Sequence, residues 1–309
     1  MSCYHKFRVI LVFGIFLHLS SFSQKTPQQE LIDSGILKAK MGDFKQALKD
    51  FNKAMALDSS DAEPYYNRGI VLTEMGDYQS AIRDFTRVIQ LKPAHAEPYY
   101  NRGLARDYLM DYIGAIQDYN KAIAMKPDFP EAYHNMGLAK YDLGDNGEAM
   151  KDFTRALQYK PDFAEAFYNR GLARFNMQDL AGAVTDFDDA IRIDAVQYEY
   201  FSSRGAAQAA SGNYNAAIDD FHAAIRINPN DVNSRMNLAL AFMYLKQYHE
   251  AIGEYDQVVG IDPANHEALA NRGVAKHYLA DKAGACDDWE QAKQHGSEKA
   301  KTYLLKYCE

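Results

Sequence analysis

The chain has 309 residues, of which 47% are hydrophobic, 13% aromatic and 25% charged, a composition that belongs to a folded protein rather than a disordered one. With 42 Asp and Glu against 34 Lys and Arg the formal charge is −8, which argues against a generic grip on nucleic acid. Nine prolines, nineteen glycines and three cysteines exclude a collagen-like chain and a disulfide-dense mini-fold.

The first 23 residues differ from all that follow. Lys6 and Arg8 give a basic start, Val9 to Leu19 is apolar apart from Gly14 and His18, and Ser21-Phe22-Ser23 precede Gln24. This order of basic, apolar and small residues predicts a secretory signal peptide over 1–23. An uncleaved anchor and a misread start are the alternatives. The apolar run is shorter than the roughly 20 residues a bilayer requires, so no stable transmembrane span is expected after cleavage. No cysteine ends the run, so the lipoprotein pattern is missing, and the small-x-small-Gln ending resembles bacterial signal peptides. Cleavage leaves Cys286 and Cys308, in a compartment where disulfides persist.

After a short linker, 24–27, the chain repeats every 34 residues. One column is Gly35, Gly69, Gly103, Gly137, Gly171, Gly205, Ala239 and Gly273. A second is Ala47, Ala81, Ala115, Ala149, Ala183, Ala217, Ala251 and Ala285. A third is aromatic throughout: Phe51, Phe85, Tyr119, Phe153, Phe187, Phe221, Tyr255 and Trp289. Proline recurs at Pro93, Pro127, Pro161, Pro229 and Pro263. Eight units run from about Gln28 to Ser297 without an insertion.

Each unit reads as two helices. The first, for example Glu63 to Glu74, ends at a turn such as Gly42-Asp43, Gly76-Asp77, Gly144-Asp145 or Gly212-Asn213. Glycine takes the left-handed conformation that closes a helix, and Asp or Asn caps the next one. The second helix, for example Tyr78 to Leu91, stops before Lys92-Pro93. Met110, Gln178, Lys246 and Ala280 replace the turn glycine, and the seventh unit, with Arg235 and Ala239, is expected to be the least regular.

The spacing of Tyr65, Gly69, Ala81, Phe85, Val88 and Pro93 resembles the tetratricopeptide repeat, and the resemblance covers about 28–297. It implies an all-α, right-handed superhelix whose concave groove is lined by the first helix of each unit. Glu298 to Cys308 reads as a helix capping the last unit, within a C-terminal segment 298–309.

An acidic column, Asp84, Asp118, Asp186, Asp220 and Asp288 among others, faces a basic one across each hairpin. The expected pairs are Arg68–Asp84, Arg102–Asp118, Arg170–Asp186, Arg204–Asp220 and Arg272–Asp288, read as a structural ladder against a charged ligand site. If the chain reverses near Gly296-Ser297, Cys286 and Cys308 lie at similar distances from the turn and are disulfide candidates. Two separate thiols are the alternative.

The groove that the resemblance implies maps onto Glu63, Tyr66 and Ile70; Glu97, Tyr100, Leu104 and Tyr108; Glu131, His134, Leu138 and Tyr141; Glu165, Tyr168, Leu172 and Phe175. Spacings of three and four place each set on one helical face. Such a surface suits an extended peptide with apolar and basic side chains, and the competing reading is ordinary scaffold packing. Toward the sixth unit the stripe shrinks to Ser202, Ala206 and Ala209. Lys, Asn and Arg are missing from the places a carboxylate clamp requires. No HExxH, paired CxxC, phosphate-cradling loop or EF-hand spacing occurs, so neither an enzyme, a cofactor nor a metal is expected. The expected function is protein or peptide binding, as a scaffold or adaptor in a bacterial envelope, in the periplasm or at the surface. The alternatives are a self-associating structural component and a small-ligand or glycan receptor.

Overall fold

The computed structural model describes residues 25–308, and the proposed signal peptide lies outside the described residues. These residues fall into two compact units, 25–162 and 163–308. Both are all-helical. The first unit holds four helical hairpins: α1 (Pro27–Lys40) with α2 (Phe44–Leu57), α3 (Glu63–Glu74) with α4 (Tyr78–Leu91), α5 (Ala96–Tyr108) with α6 (Tyr112–Met125), and α7 (Pro130–Asp142) with α8 (Asn146–Tyr159). The second holds four more: α9 (Ala164–Asn176) with α10 (Leu180–Ile193), α11 (Tyr198–Ala210) with α12 (Tyr214–Ile227), α13 (Val232–Tyr244) with α14 (Tyr248–Ile261), and α15 (His266–Tyr278) with α16 (Lys282–Gln294). The helix α17 (Glu298–Tyr307) follows them. The first helix begins inside the segment read as a linker, because Thr26 caps it by accepting from the Gln29 amide. Among the described residues no helix is long and apolar enough to cross a membrane.

Capping chemistry sets the hairpin turns. Asp43, Asp77, Asp111, Asp145, Asp179 and Asp281 each accept from a backbone N–H in the first turn of the second helix. The preceding residue closes the first helix at positive φ. It is glycine at Gly42, Gly76, Gly144 and Gly212, but Met110, Gln178, Lys246 and Ala280 adopt the same conformation at φ of 60–64°. The Asp77 amide then donates back to the Leu72 carbonyl at 2.8 Å, so the closure satisfies a helix-end carbonyl.

The small and aromatic columns pack each hairpin. A Cβ at Gly69 would come within 2.8 Å of the Phe85 ring, so only glycine lets α3 approach α4 at this distance. Phe51, Phe85, Tyr119, Phe153, Phe187, Phe221, Tyr255 and Trp289 are all buried. Within each unit the second helix of one hairpin then packs on the first helix of the next. Burial is therefore shared between neighbours, as in repeat proteins generally.

The seventh hairpin departs where the sequence departs. Arg235 turns back to donate to the Pro229 carbonyl and reaches Glu254 at 2.7 Å, while Ala239 is buried where the other units have glycine. Both of its helices nevertheless keep the usual bounds.

Candidate functional site

The aromatic middle of the expected groove lies inside the repeats. Tyr66 is fully buried, its ring edge-on to Phe85 at 6.0 Å, and its hydroxyl accepts from the Asn101 side-chain amide at 2.9 Å. Tyr100 repeats this with Asn135, also at 2.9 Å, and packs against Tyr119 and Phe129. In the second unit Tyr168 packs against Phe187 and Tyr200, and its hydroxyl lies 3.3 Å from that of Ser203. Burial pushes the Tyr66 and Tyr100 hydroxyls above their ordinary pKa.

Ile70, Leu104, Leu138, Leu172, His134 and Glu63 are buried as well. The expectation of an exposed tyrosine stripe at Tyr66, Tyr100 and Tyr168 is thus corrected. These side chains join neighbouring repeats by filling the space beside the aromatic column. What remains accessible is Tyr108, 38% exposed, with Tyr141, Phe175, Glu97, Glu131 and Glu165 half-buried.

The charged columns meet. Arg68 donates from Nε and NH2 to the two oxygens of Asp84, at 2.7 and 2.6 Å. Arg102–Asp118, Arg170–Asp186, Arg204–Asp220 and Arg272–Asp288 have the same two-bond geometry. In several repeats NH1 of the same arginine also reaches the preceding hairpin. It donates to Asn52 from Arg68, to Thr86 from Arg102, to Asp188 from Arg204 and to Asp256 from Arg272.

A second basic column escaped the sequence reading. Lys38, Arg106, Lys140, Arg174 and Lys276 pair with Asp50, Asp118, Asp152, Asp186 and Asp288. Its signal is the i+4 spacing from the arginine column. In the fourth hairpin Met136 stands in that column, and Lys140 is the base paired with Asp152. Burial there pushes the Asp152 carboxyl up to about 6, against the pull of Lys140.

The second unit opens a different surface. The column that holds Tyr66, Tyr100 and Tyr168 continues as Ser202, Met236 and Ala270. Between α13 and α15, with α14 beneath, lies a cleft of about 550 Å³ walled by Leu240, Met243, Tyr244, Tyr248, Val274 and Tyr278. Tyr244 is 67% exposed and Tyr278 60%. Each stacks face to face on a tyrosine that begins the preceding second helix: Tyr214 on Tyr244 at 4.7 Å and Tyr248 on Tyr278 at 4.9 Å. Tyr78 and Tyr108 form the same pair in the first unit, at 4.8 Å. The sequence signal is a tyrosine opening a second helix with another thirty residues later.

At the C-terminus α17 covers α16. Ala300, Tyr303, Leu304 and Tyr307 pack with Leu269, Trp289 and Ala292. The disulfide Cys286–Cys308, with a Cα separation of 5.9 Å, ties the two helices together.

Comparison with known proteins follows the same repeat. Models described as TPR repeat match 37–76, 111–144 and 137–178, and models described as tetratricopeptide repeat match 62–95, 164–197 and 203–277. A search of curated proteins finds no match. Among solved structures, MamA is 26% identical over 54% of this chain and 92% of its own, with a TM-score of 0.51. The C-terminal part of a TPR repeat-containing protein from Cytophaga hutchinsonii is 18% identical over 77% and 98%, with a TM-score of 0.64. YrrB, described as a TPR protein with an unusual peptide-binding site, is 22% identical over 60% and 95%, with a TM-score of 0.52.

Proposed function

The chain belongs to the tetratricopeptide repeat family, and on that premise we propose that it is a non-catalytic scaffold or adaptor that binds segments of other proteins in a bacterial envelope. The observation that carries this reading is the tyrosine-walled cleft between α13 and α15. It is a largely apolar hollow whose rim carries Tyr244 and Tyr278, both more exposed than Tyr66, Tyr100 and Tyr168, which are buried between repeats. Tyrosines with an apolar face and a polar tip are frequent interface anchors. The buried carboxylates of Asp84, Asp118, Asp186, Asp220 and Asp288 are each engaged by an arginine of the same hairpin, which supports a scaffold role for these charges rather than a reactive one.

Export is part of the proposal. It rests on the basic, apolar and small-residue order of 1–23 and agrees with a disulfide between Cys286 and Cys308. Fractionation followed by N-terminal sequencing tests it. A chain in the envelope fraction beginning at Gln24 supports export, and an intact Met1 in the cytoplasm ends it.

Capture from an envelope extract tests the binding surface. The bait is residues 24–309, and its control is a Tyr244→Ser/Tyr278→Ser variant with unchanged helicity. Proteins enriched on the wild type and lost on the variant are the expected result. Equal capture on both baits, or none on either, removes the cleft as the working surface.

A further inference from the structure

The second helix of each hairpin has one side buried in the repeat and one turned to solvent. On α2 the buried side holds Ala47, Asp50, Phe51 and Ala54, and the exposed side holds Lys49, Asn52 and Lys53, whose spacings put them on one helical face. Followed through the 34-residue period, this outer face changes sign between the two units. In the first unit Lys49 is matched by Arg83, Gln117 and Lys151, and Lys53 by Arg87, Lys121 and Arg155. Asn52 is matched by Thr86, Asn120 and Thr154, so the three columns carry seven bases and no acid. In the second unit the Lys49 column reads Thr185, Asp219, Gly253 and Asp287, and the Asn52 column reads Asp188, His222, Asp256 and Glu290. The Lys53 column reads Asp189, Ala223, Gln257 and Gln291, so six acids and no Lys or Arg stand where the first unit has its bases.

Most of these charges are not cancelled within the chain. Among the described residues Lys151 is the one of the seven bases in an ion pair, with Glu148 of its own helix. Arg83, Arg87 and Arg155 donate to the uncharged side chains of Ser80, Gln90 and Gln158. In the second unit Asp189 meets Arg192 and Glu290 meets Lys293. Asp188 and Asp256 meet Arg204 and Arg272, but each of these guanidinium groups also serves a buried carboxylate, Asp220 or Asp288. Two carboxylates thus share one positive charge, and the face keeps its negative sign. Asp287 accepts only from the Gln291 amide.

We propose that the basic outer face of the first unit docks on the acidic outer face of the second unit of another copy of this chain. Charge complementarity argues for this occupant. Both faces stand on second helices of 13 or 14 residues. Both repeat every 34 residues, so the positive and negative rows advance by the same step from hairpin to hairpin. Like faces repel, so the contact is specific to opposite units. A single exposed ion pair contributes little, but a row acting together steers encounter and fixes register. A polyanion or an anionic lipid surface would meet the basic face and be repelled by the acidic one and by the −8 charge of the chain. The contact uses none of the residues that wall the α13–α15 cleft, so it goes beyond the binding reading and stands or falls separately.

Sedimentation velocity on the oxidised chain 24–309, over a range of protein concentrations, tests this. A mass above the monomer is expected in about 10 mM salt and its loss in about 1 M salt, as the screening length falls from about 30 to about 3 Å. That salt response reads the contact without any substitution. Lys49→Glu/Arg83→Glu/Lys151→Glu and Asp219→Lys/Asp287→Lys change only exposed positions, and circular dichroism checks that both variants fold. Each alone should self-associate at least about tenfold more weakly than the wild type. An equal mixture of the two should recover association, because one keeps the acidic face and the other the basic face. A wild type that stays monomeric in low salt, association that survives high salt or either charge reversal, or a mixture that does not recover overturns the proposal. Vesicles of phosphatidylglycerol form a second arm. A chain that stays monomeric yet binds them, and loses them with Lys49→Glu/Arg83→Glu/Lys151→Glu, overturns the proposal in favour of a lipid surface. Capture that is lost on Tyr244→Ser/Tyr278→Ser and kept on the charge-reversed variants supports the cleft independently of this result.

Discussion

Arg68 and Asp84, sixteen residues apart, meet across the α3–α4 turn through two hydrogen bonds of 2.7 and 2.6 Å, and the free arm of Arg68 donates to Asn52 on α2. One guanidinium therefore ties three helices of two successive hairpins. Asp84 is buried, and taking its partner away strands a carboxylate in the interior.

Arg68→Leu is accordingly expected to destabilise the chain by about 3 kcal/mol, because the charge it leaves behind is uncompensated. Arg68→Leu/Asp84→Leu should recover most of that loss, since two apolar residues replace the pair together. A double-mutant cycle by urea denaturation measures the coupling, and additive costs would contradict it.

Met110, Gln178, Lys246 and Ala280 hold positive φ without being glycine. A left-handed conformation costs a residue with a Cβ roughly 1 kcal/mol or more. Met110→Gly, whose side chain is 74% exposed, should therefore stabilise the chain by a few tenths to about 1 kcal/mol. The reverse change, Gly76→Ala at φ +79° with open space around it, should cost a similar amount. Paired melting curves compare the two directions.

Glu63 gives the first unit a pH dependence. Burial raises its carboxyl from 4.5 to about 7, and the neighbouring charges of Asp61 and Asp33 add to this. The folded chain then holds a proton that the unfolded chain releases. Stability from this group is complete below pH 4.5 and lost as pH rises through about 7. Asp152 acts in the same direction, from 3.8 to about 6. Denaturant midpoints across this range should fall with rising pH, and Glu63→Gln should flatten that slope.

Reducing Cys286–Cys308 opens a link across 22 residues, which removes on the order of 3 kcal/mol of constraint from the unfolded chain. The expected response to a dithiol is a lower melting temperature and early amide exchange in α17. The helices α9 to α12 should exchange as before. Hydrogen exchange by mass spectrometry reads both regions in one experiment, and uniform loosening would argue against a local cap.

The hairpins were legible because their determinants are local. Asp77 caps its own helix, Gly76 closes the one before it, and Gly69 and Phe85 recur in every unit at fixed spacing, as Gly or Ala with an aromatic. The Arg–Asp pairing followed from the hairpin geometry, since residues equidistant from a turn face each other. The accessibility of the tyrosines was not legible. Tyr66 and Tyr244 both lie on first helices, yet one is fully buried and the other 67% exposed. What separates them is the surroundings of each ring: Phe85 of the same hairpin and Asn101 of the next enclose Tyr66, whereas Tyr214 of the preceding hairpin covers only one face of Tyr244.

By itself, then, the sequence determined the period, the two-helix repeat, the turn chemistry and the Arg–Asp partners of each hairpin, all of which depend on contacts within one hairpin or its immediate repeat. The tertiary structure alone decided which aromatic residues are core and which are surface, and where the cleft opens. Those outcomes depend on the side chains that the next repeat supplies. A single change in a column, such as Met236 in place of tyrosine, alters the surroundings of a residue in another repeat that the linear pattern does not connect to it.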